Sequence, residues 1–134
     1  MSVEAQQPAI LIVEDQGLMR AVLRYFVQTA FPNCAIREAP DGATALKECA
    51  GQPPRIVLMD ISLPDANGIE LTARIRAMIP RVAVIVVSYH SGQTCFEQAV
   101  AAGACAYVVK DRLLPDLIPA VTDALGIAPA AQER

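Results

Sequence analysis

The sequence has no excess of positive charge. Its 11 Lys and Arg stand against 14 Asp and Glu, giving a net charge of −3 and a pI near 5.0. That balance offers no electrostatic footing on a phosphate backbone, so direct nucleic-acid binding by this chain is not expected. Long apolar runs are also missing. The longest, Val82 to Val87, falls far short of the roughly 20 residues that span a bilayer, and no membrane attachment is expected. The opening M-S-V-E-A-Q-Q-P has no basic segment followed by an apolar core, so a cytoplasmic location is expected. Four cysteines (Cys34, Cys49, Cys95, Cys105) show neither C-x-x-C spacing nor ligand-interval pairing with the single histidine, His90. That argues against zinc and suits small, partly buried hydrophobes in a reducing compartment. No internal repeat is visible. A Ser/Thr/Gly-rich phosphate loop is absent after the first apolar run, where E-D-Q-G would repel an anionic cofactor, which counts against a small flavodoxin-like enzyme.

What is present is one domain's worth of chain, 134 residues with 54% hydrophobic content, much of it alanine. Apolar runs at Ala9–Val13, Ile56–Met59, Val82–Val87 and Ala106–Val109, with a short stretch at Cys34–Glu38, read as five strands. Runs without polar alternation suit strands buried on both faces of a parallel sheet. Between them lie helical patterns at about 17–29, 42–50, 69–78, 94–102 and 114–125. Leu18, Val22 and Phe26 recur at helical spacing in the first, Asp41 is placed to cap the second, and Gly103 to close the fourth. Strict β-α alternation implies parallel strands joined by right-handed crossovers, hence a three-layer α/β/α sandwich.

The strand ends carry the chemistry. Glu14-Asp15 follow the first strand, Asp60 the third, Ser88 the fourth and Lys110 the fifth. In a flavodoxin-like order 2-1-3-4-5 these four strands are consecutive neighbours, and ligands bind beyond their carboxyl ends. Three carboxylates, a hydroxyl and an ammonium would then share one edge. Clustered carboxylates raise one another's pKa unless a cation joins them, and a hard oxygen-preferring ion such as Mg2+ suits the set. A carboxylate can also act as a nucleophile towards phosphorus, with an ammonium and Mg2+ balancing the charge of the transferring group.

The segments I-L-I-V-E-D, A-P-D-G-A-T-A-L, M-D-I-S-L-P-D-A-N-G-I-E, V-I-V-V-S and A-A-G-A-C-A-Y-V-V-K-D occur in order from about Ile10 to Leu125. In this the chain resembles the receiver domain of two-component response regulators, in style nearest to receivers that precede a helix-turn-helix output domain. The resemblance implies the sheet order 2-1-3-4-5. It also implies that Asp60 accepts a phosphoryl group from a sensor histidine kinase or phosphotransfer protein. Glu14, Asp15, Asp60 and the Ser62 carbonyl would bind Mg2+, and Lys110 and Ser88 would contact the phosphoryl group. Ser88 and Tyr107 would form the switch. Glu14 departs from the commoner aspartate, and its extra methylene allows contact with the metal through water. Lys110 is followed by Asp111, where many receivers have proline. The domain is expected over 9–126, with an N-terminal extension at 1–8 and a tail or linker start at 127–134.

The resemblance further implies a signalling switch rather than an enzyme, with a homodimer possible through helix four, strand five and helix five. Pro119 falls a full turn inside helix five, where a missing N–H is expected to kink the helix or delay its start and so disturb that surface. A phosphorylation-independent docking module on the same fold is the alternative. His90 is expected to be a solvated loop residue rather than a rival acceptor, and Asp65 and Asn67 to be turn formers.

Overall fold

The computed structural model describes residues 7–130; the outer parts of the expected extension and tail lie outside them. Five strands alternate with five helices: β1 (Ala9–Val13), α1 (Gly17–Ala30), β2 (Ala35–Ala39), α2 (Gly42–Gly51), β3 (Ile56–Met59), α3 (Gly68–Met78), β4 (Ala83–Ser88), α4 (Gln93–Ala102), β5 (Ala106–Val109) and α5 (Leu113–Leu125). The sheet has the order β2-β1-β3-β4-β5, and every pairing is parallel. This is the flavodoxin-like α/β sandwich expected from the strand pattern and the resemblance.

Alternate strand residues feed two cores. Ile10, Ile12, Leu58, Ile85 and Val87 pack with Leu23 and Val27 of α1 and Leu117 and Val121 of α5. Leu11, Val13, Val57, Met59 and Val84 pack with Ala45 and Cys49 of α2 and Leu71 and Ile75 of α3. Each fully buried aliphatic side chain contributes about 1.5–3 kcal/mol, so strands apolar on both faces are held from both sides. Among the described residues no helix is long and apolar enough to cross a membrane.

Three expectations change. β2 and β4 each begin and end one residue later than expected, so that Ser88 is the last residue of β4, paired with Val109. Helix five is not delayed: a 3-10 turn at Lys110–Arg112 leads into α5 at Leu113, which runs through Pro119. Leu113, Leu117, Val121 and Leu125 lie buried at four-residue spacing. Their combined burial outweighs the roughly 3 kcal/mol cost of an internal proline. Pro115, whose carbonyl loses its donor, and Pro119 itself are both exposed, so water can serve that oxygen. Third, Cys105 is exposed rather than partly buried, while Cys49 is buried and Cys34 and Cys95 are intermediate.

Candidate functional site

Register sets the site. Val13 pairs with Met59 and Met59 with Val86, so Glu14 and Asp60 leave the sheet at one level. Two further amide bonds extend the ladder, Glu14 N to Ala39 O at 3.1 Å and Asp60 N to Val13 O at 3.0 Å. Both acids are therefore fixed by main chain before their side chains make any contact.

One pocket at this edge is lined by Asp15, Asp60, Ser62, Ser88 and Lys110, together with Gln16, Tyr89 and His90. Glu14 lies beneath it, wholly buried. Lys110 Nζ sits 2.8 Å from Glu14 Oε1 and 3.3 Å from Asp60 Oδ1, with its side chain 4% exposed. The other Glu14 oxygen accepts from the Gln16 amide at 3.0 Å. Carboxylate oxygens of Glu14, Asp15 and Asp60 come within 4.8 Å of one another. Burial raises the Asp60 carboxyl above the usual aspartate range and Glu14 pushes it further, while Lys110 and the Ser62 amide pull it down. Burial alone would depress the Lys110 ammonium, but Glu14 and Asp60 outweigh that and lift it above the ordinary lysine value. Lys110 therefore stays charged, and three carboxylates against one ammonium leave the cluster two negative charges in excess. Such an excess is what a hard cation could neutralise.

The loop after Asp60 is pinned at both ends. Gly68 N donates to Ile61 O at 2.7 Å, and Asn67 Oδ1 caps α3 by accepting from Ile69 N and Glu70 N. Asp65 is more than a turn former. Its two oxygens accept from Gly42 N at 2.7 Å and Ala43 N at 3.0 Å, which ties the loop to the N-terminus of α2 and holds its carboxyl below the usual range. Asp41 caps the same helix as expected, accepting from Thr44 N.

The far side of the pocket is joined through the main chain of His90. Its N–H donates to Ser88 Oγ at 3.0 Å, and its carbonyl accepts from the Tyr107 hydroxyl at 2.7 Å. Tyr107 does not line the pocket; its ring meets Phe96 edge-on, with centroids 6.1 Å apart. Burial lifts its phenol above the ordinary tyrosine value. The His90 side chain is exposed.

Residues 10–122 match the model of the response regulator receiver domain. The chain belongs to the response regulator receiver domain family. It is 35% identical over 101 residues to the transcriptional activator protein ExaE of Pseudomonas putida, covering 75% of this chain and 47% of that protein. The chemotaxis protein CheY of Thermotoga maritima is also 35% identical over 101 residues, covering 75% and 83%. The chain spans about half the length of the first curated relatives it matches. Among solved structures, a LuxR-family two-component response regulator from an Aurantimonas species superposes with a TM-score of 0.82 at 29% identity, over 92% of this chain and 89% of that one. The response regulator TrrA of Thermotoga maritima, solved in complex with Mg(2+)-BeF, gives a TM-score of 0.78 at 26% identity, over 88% and 99%.

Two receiver residues that shape the site carry no signal in the sequence. Tyr89 is an aromatic in a loop. Arg20 lies in the first turn of α1, where its guanidinium donates to the Glu14 carbonyl at 2.8 Å and to Glu38 at 2.8 Å, with Arg24 on the other Glu38 oxygen. Arg20 thus fixes the peptide between Glu14 and Asp15. Arg20→Ala is expected to lower stability by about 1.5–3 kcal/mol, the value of a hydrogen bond made by a charged group, and to weaken Mg2+ binding. Urea unfolding with and without Mg2+ measures both; wild-type behaviour in each would remove Arg20 from the site.

Proposed function

We propose that this receiver domain takes a phosphoryl group onto Asp60 from a sensor histidine kinase or phosphotransfer protein, in an Mg2+-dependent reaction, and changes conformation to regulate an output partner or domain. The observation that carries this reading is a buried aspartate with a raised pKa, beside a charged lysine, in a cluster of excess negative charge at the pocket edge. The receiver unit would cover 9–126, with 1–8 and 127–134 as flanking segments.

An Asp60 oxygen attacks the phosphorus of a phosphohistidine. The new O–P bond forms as the P–N bond breaks, and the electron pair leaves with the imidazole nitrogen. Asp15, Asp60 and the Ser62 carbonyl would hold the metal directly. Glu14, already engaged by Lys110 and the Gln16 amide, would reach it through water. Bound Mg2+ supplies positive charge to the phosphoryl oxygens. That the TrrA structure is an Mg(2+)-BeF complex supports a metal-linked reading. Lys110 turns its ammonium from Asp60 to the added phosphoryl oxygens. Ser88 accepts from the His90 amide and meets the Tyr107 hydroxyl; on phosphorylation its own proton would be donated to the phosphoryl group. Drawing Ser88 inward disturbs the His90 peptide, and with it the acceptor that holds the Tyr107 hydroxyl. The domain then has two packings, and phosphorylation shifts the population between them. Exposed Phe96 and Val100 on α4 support a homodimer or output contact through α4, β5 and α5.

Treatment with acetyl phosphate and Mg2+, followed by intact mass, tests the reading. A gain of one phosphoryl group is expected. No gain at saturating Mg2+ favours the phosphorylation-independent docking module. Lys110→Ala is expected to keep Mg2+ binding but to uncouple labelling from the conformational change, and to cost about 3 kcal/mol because Glu14 is left buried without its partner. Mg2+ titration and the Tyr107 ring NMR signals report both properties. A Tyr107 response equal to wild type after labelling would remove Lys110 from the switch.

A further inference from the structure

Tyr89 follows Ser88 directly and, among the described residues, is the one Phe, Tyr or Trp that lines the Asp60 pocket. The residue is 61% exposed overall, yet the Lys110 Nζ lies 5.0 Å from its ring centroid. The ammonium has Glu14 and Asp60 on its inner side, and its side chain is 4% exposed although the pocket opens to solvent. The ring supplies cover on that open side, held by attraction between the cation and the ring face.

We propose that Tyr89 is the gate of the phosphoryl site: its ring, seated on Lys110, stands in the mouth through which a phosphodonor enters and through which water reaches the aspartyl phosphate. The proposal rests on the phosphoacceptor reading of Asp60. Its consequence is kinetic. In transfer, the Asp60 O–P bond forms as the donor's bond to phosphorus breaks, with the electron pair leaving on the donor's nitrogen or oxygen. In hydrolysis, a water oxygen bonds to phosphorus, its proton passes to solvent, and the Asp60 carboxylate leaves with the O–P pair. Both displacements need a second reactant beside phosphorus, and both must displace the ring. Lys110 must also turn towards the phosphoryl oxygens, which weakens its hold on the ring. The gate is therefore tightest in the unphosphorylated chain.

Three forms of the 134-residue chain test this: wild type, Tyr89→Phe and Tyr89→Ala. Labelling by phosphoramidate and by the bulkier phosphoimidazole is followed by intact mass, and loss of label is followed after donor removal. Tyr89→Ala is expected to speed labelling and label loss about two- to fivefold, the size carried by a solvent-accessible ring–ammonium contact, with the larger gain for phosphoimidazole. Tyr89→Phe keeps the ring and is expected to keep the wild-type rates. The Lys110 ε-methylene proton shifts give a readout separate from turnover: the ring's upfield displacement persists in Tyr89→Phe and disappears in Tyr89→Ala. Wild-type rates in Tyr89→Ala, or Tyr89→Phe behaving like Tyr89→Ala, overturn the gate. Absence of label from wild type itself overturns the Asp60 reading instead.

Discussion

Asp60→Asn is expected to stabilise the fold by about 1–2 kcal/mol while abolishing phosphoryl uptake. The two effects share one cause. Burial and the neighbouring Glu14 raise the Asp60 carboxyl's pKa in the folded chain, so the ionised group costs stability. A folded-state pKa above the unfolded value means that Asp60 favours folding below the unfolded pKa and loses that contribution as pH rises through the folded one. Asparagine has no charge to desolvate, and Lys110 keeps its 2.8 Å contact with Glu14, so no buried ammonium is orphaned. Thermal unfolding at neutral pH should show the variant melting a few degrees above wild type. The gap should close below about pH 4, where Asp60 is protonated in both folded and unfolded chains. Mg2+ should narrow it too, by stabilising wild type more than the variant. A variant less stable than wild type at neutral pH would mean that Asp60 is a structural ion-pair partner and not a strained functional acid.

Gly68→Ala is expected to be the most damaging single methyl addition at the site. Gly68 opens α3 with no positive φ, so the requirement is for space and not for conformational freedom. A Cβ there overlaps the Asp60 carbonyl oxygen and lies 2.8 Å from both the Asp60 carbonyl carbon and the Ile61 Cα. Main chain cannot swing aside as a flexible side chain can, and the Gly68 N to Ile61 O bond holds the two strands of chain together. The expected loss is about 3 kcal/mol or more in urea unfolding. Because the displaced peptide carries Asp60, the surviving folded fraction should also label more slowly. A change within about 0.5 kcal/mol would show that the loop yields freely at this point.

Much of this site was legible in the sequence because a parallel sheet simplifies its own pattern. Strands buried on both faces must be apolar throughout, so Glu14, Asp60, Ser88 and Lys110 mark where the apolar run stops and the edge begins. The caps were legible for similar reasons: Asp41 accepts a helix amide, and Gly103, with φ of 107°, takes a left-handed conformation closed to most side chains. The sheet order came from the family resemblance, because strand periodicity carries no neighbour information. The roles of Arg20 and Tyr89, and the helix-capping role of Asp65 beyond its turn, carry no local signal because each acts across the chain. Arg20 reaches back to a main-chain carbonyl, Asp65 caps a helix 22 and 23 residues upstream, and Tyr89 meets Lys110 only after β4 and β5 pair. Pro119 misled for the opposite reason. Its local cost is real, but four buried side chains on the other face of α5 outweigh it.

The central claim is that Asp60 is the residue that receives the phosphoryl group. Mapping the label tests it most directly: wild type treated with acetyl phosphate and Mg2+, reduced with borohydride to fix the acyl phosphate, digested, and sequenced by mass spectrometry. The modification is expected on Asp60 alone, and Asp60→Asn should carry none. A label on His90, on Asp15 or on any other residue, or undiminished uptake by Asp60→Asn, would contradict the assignment.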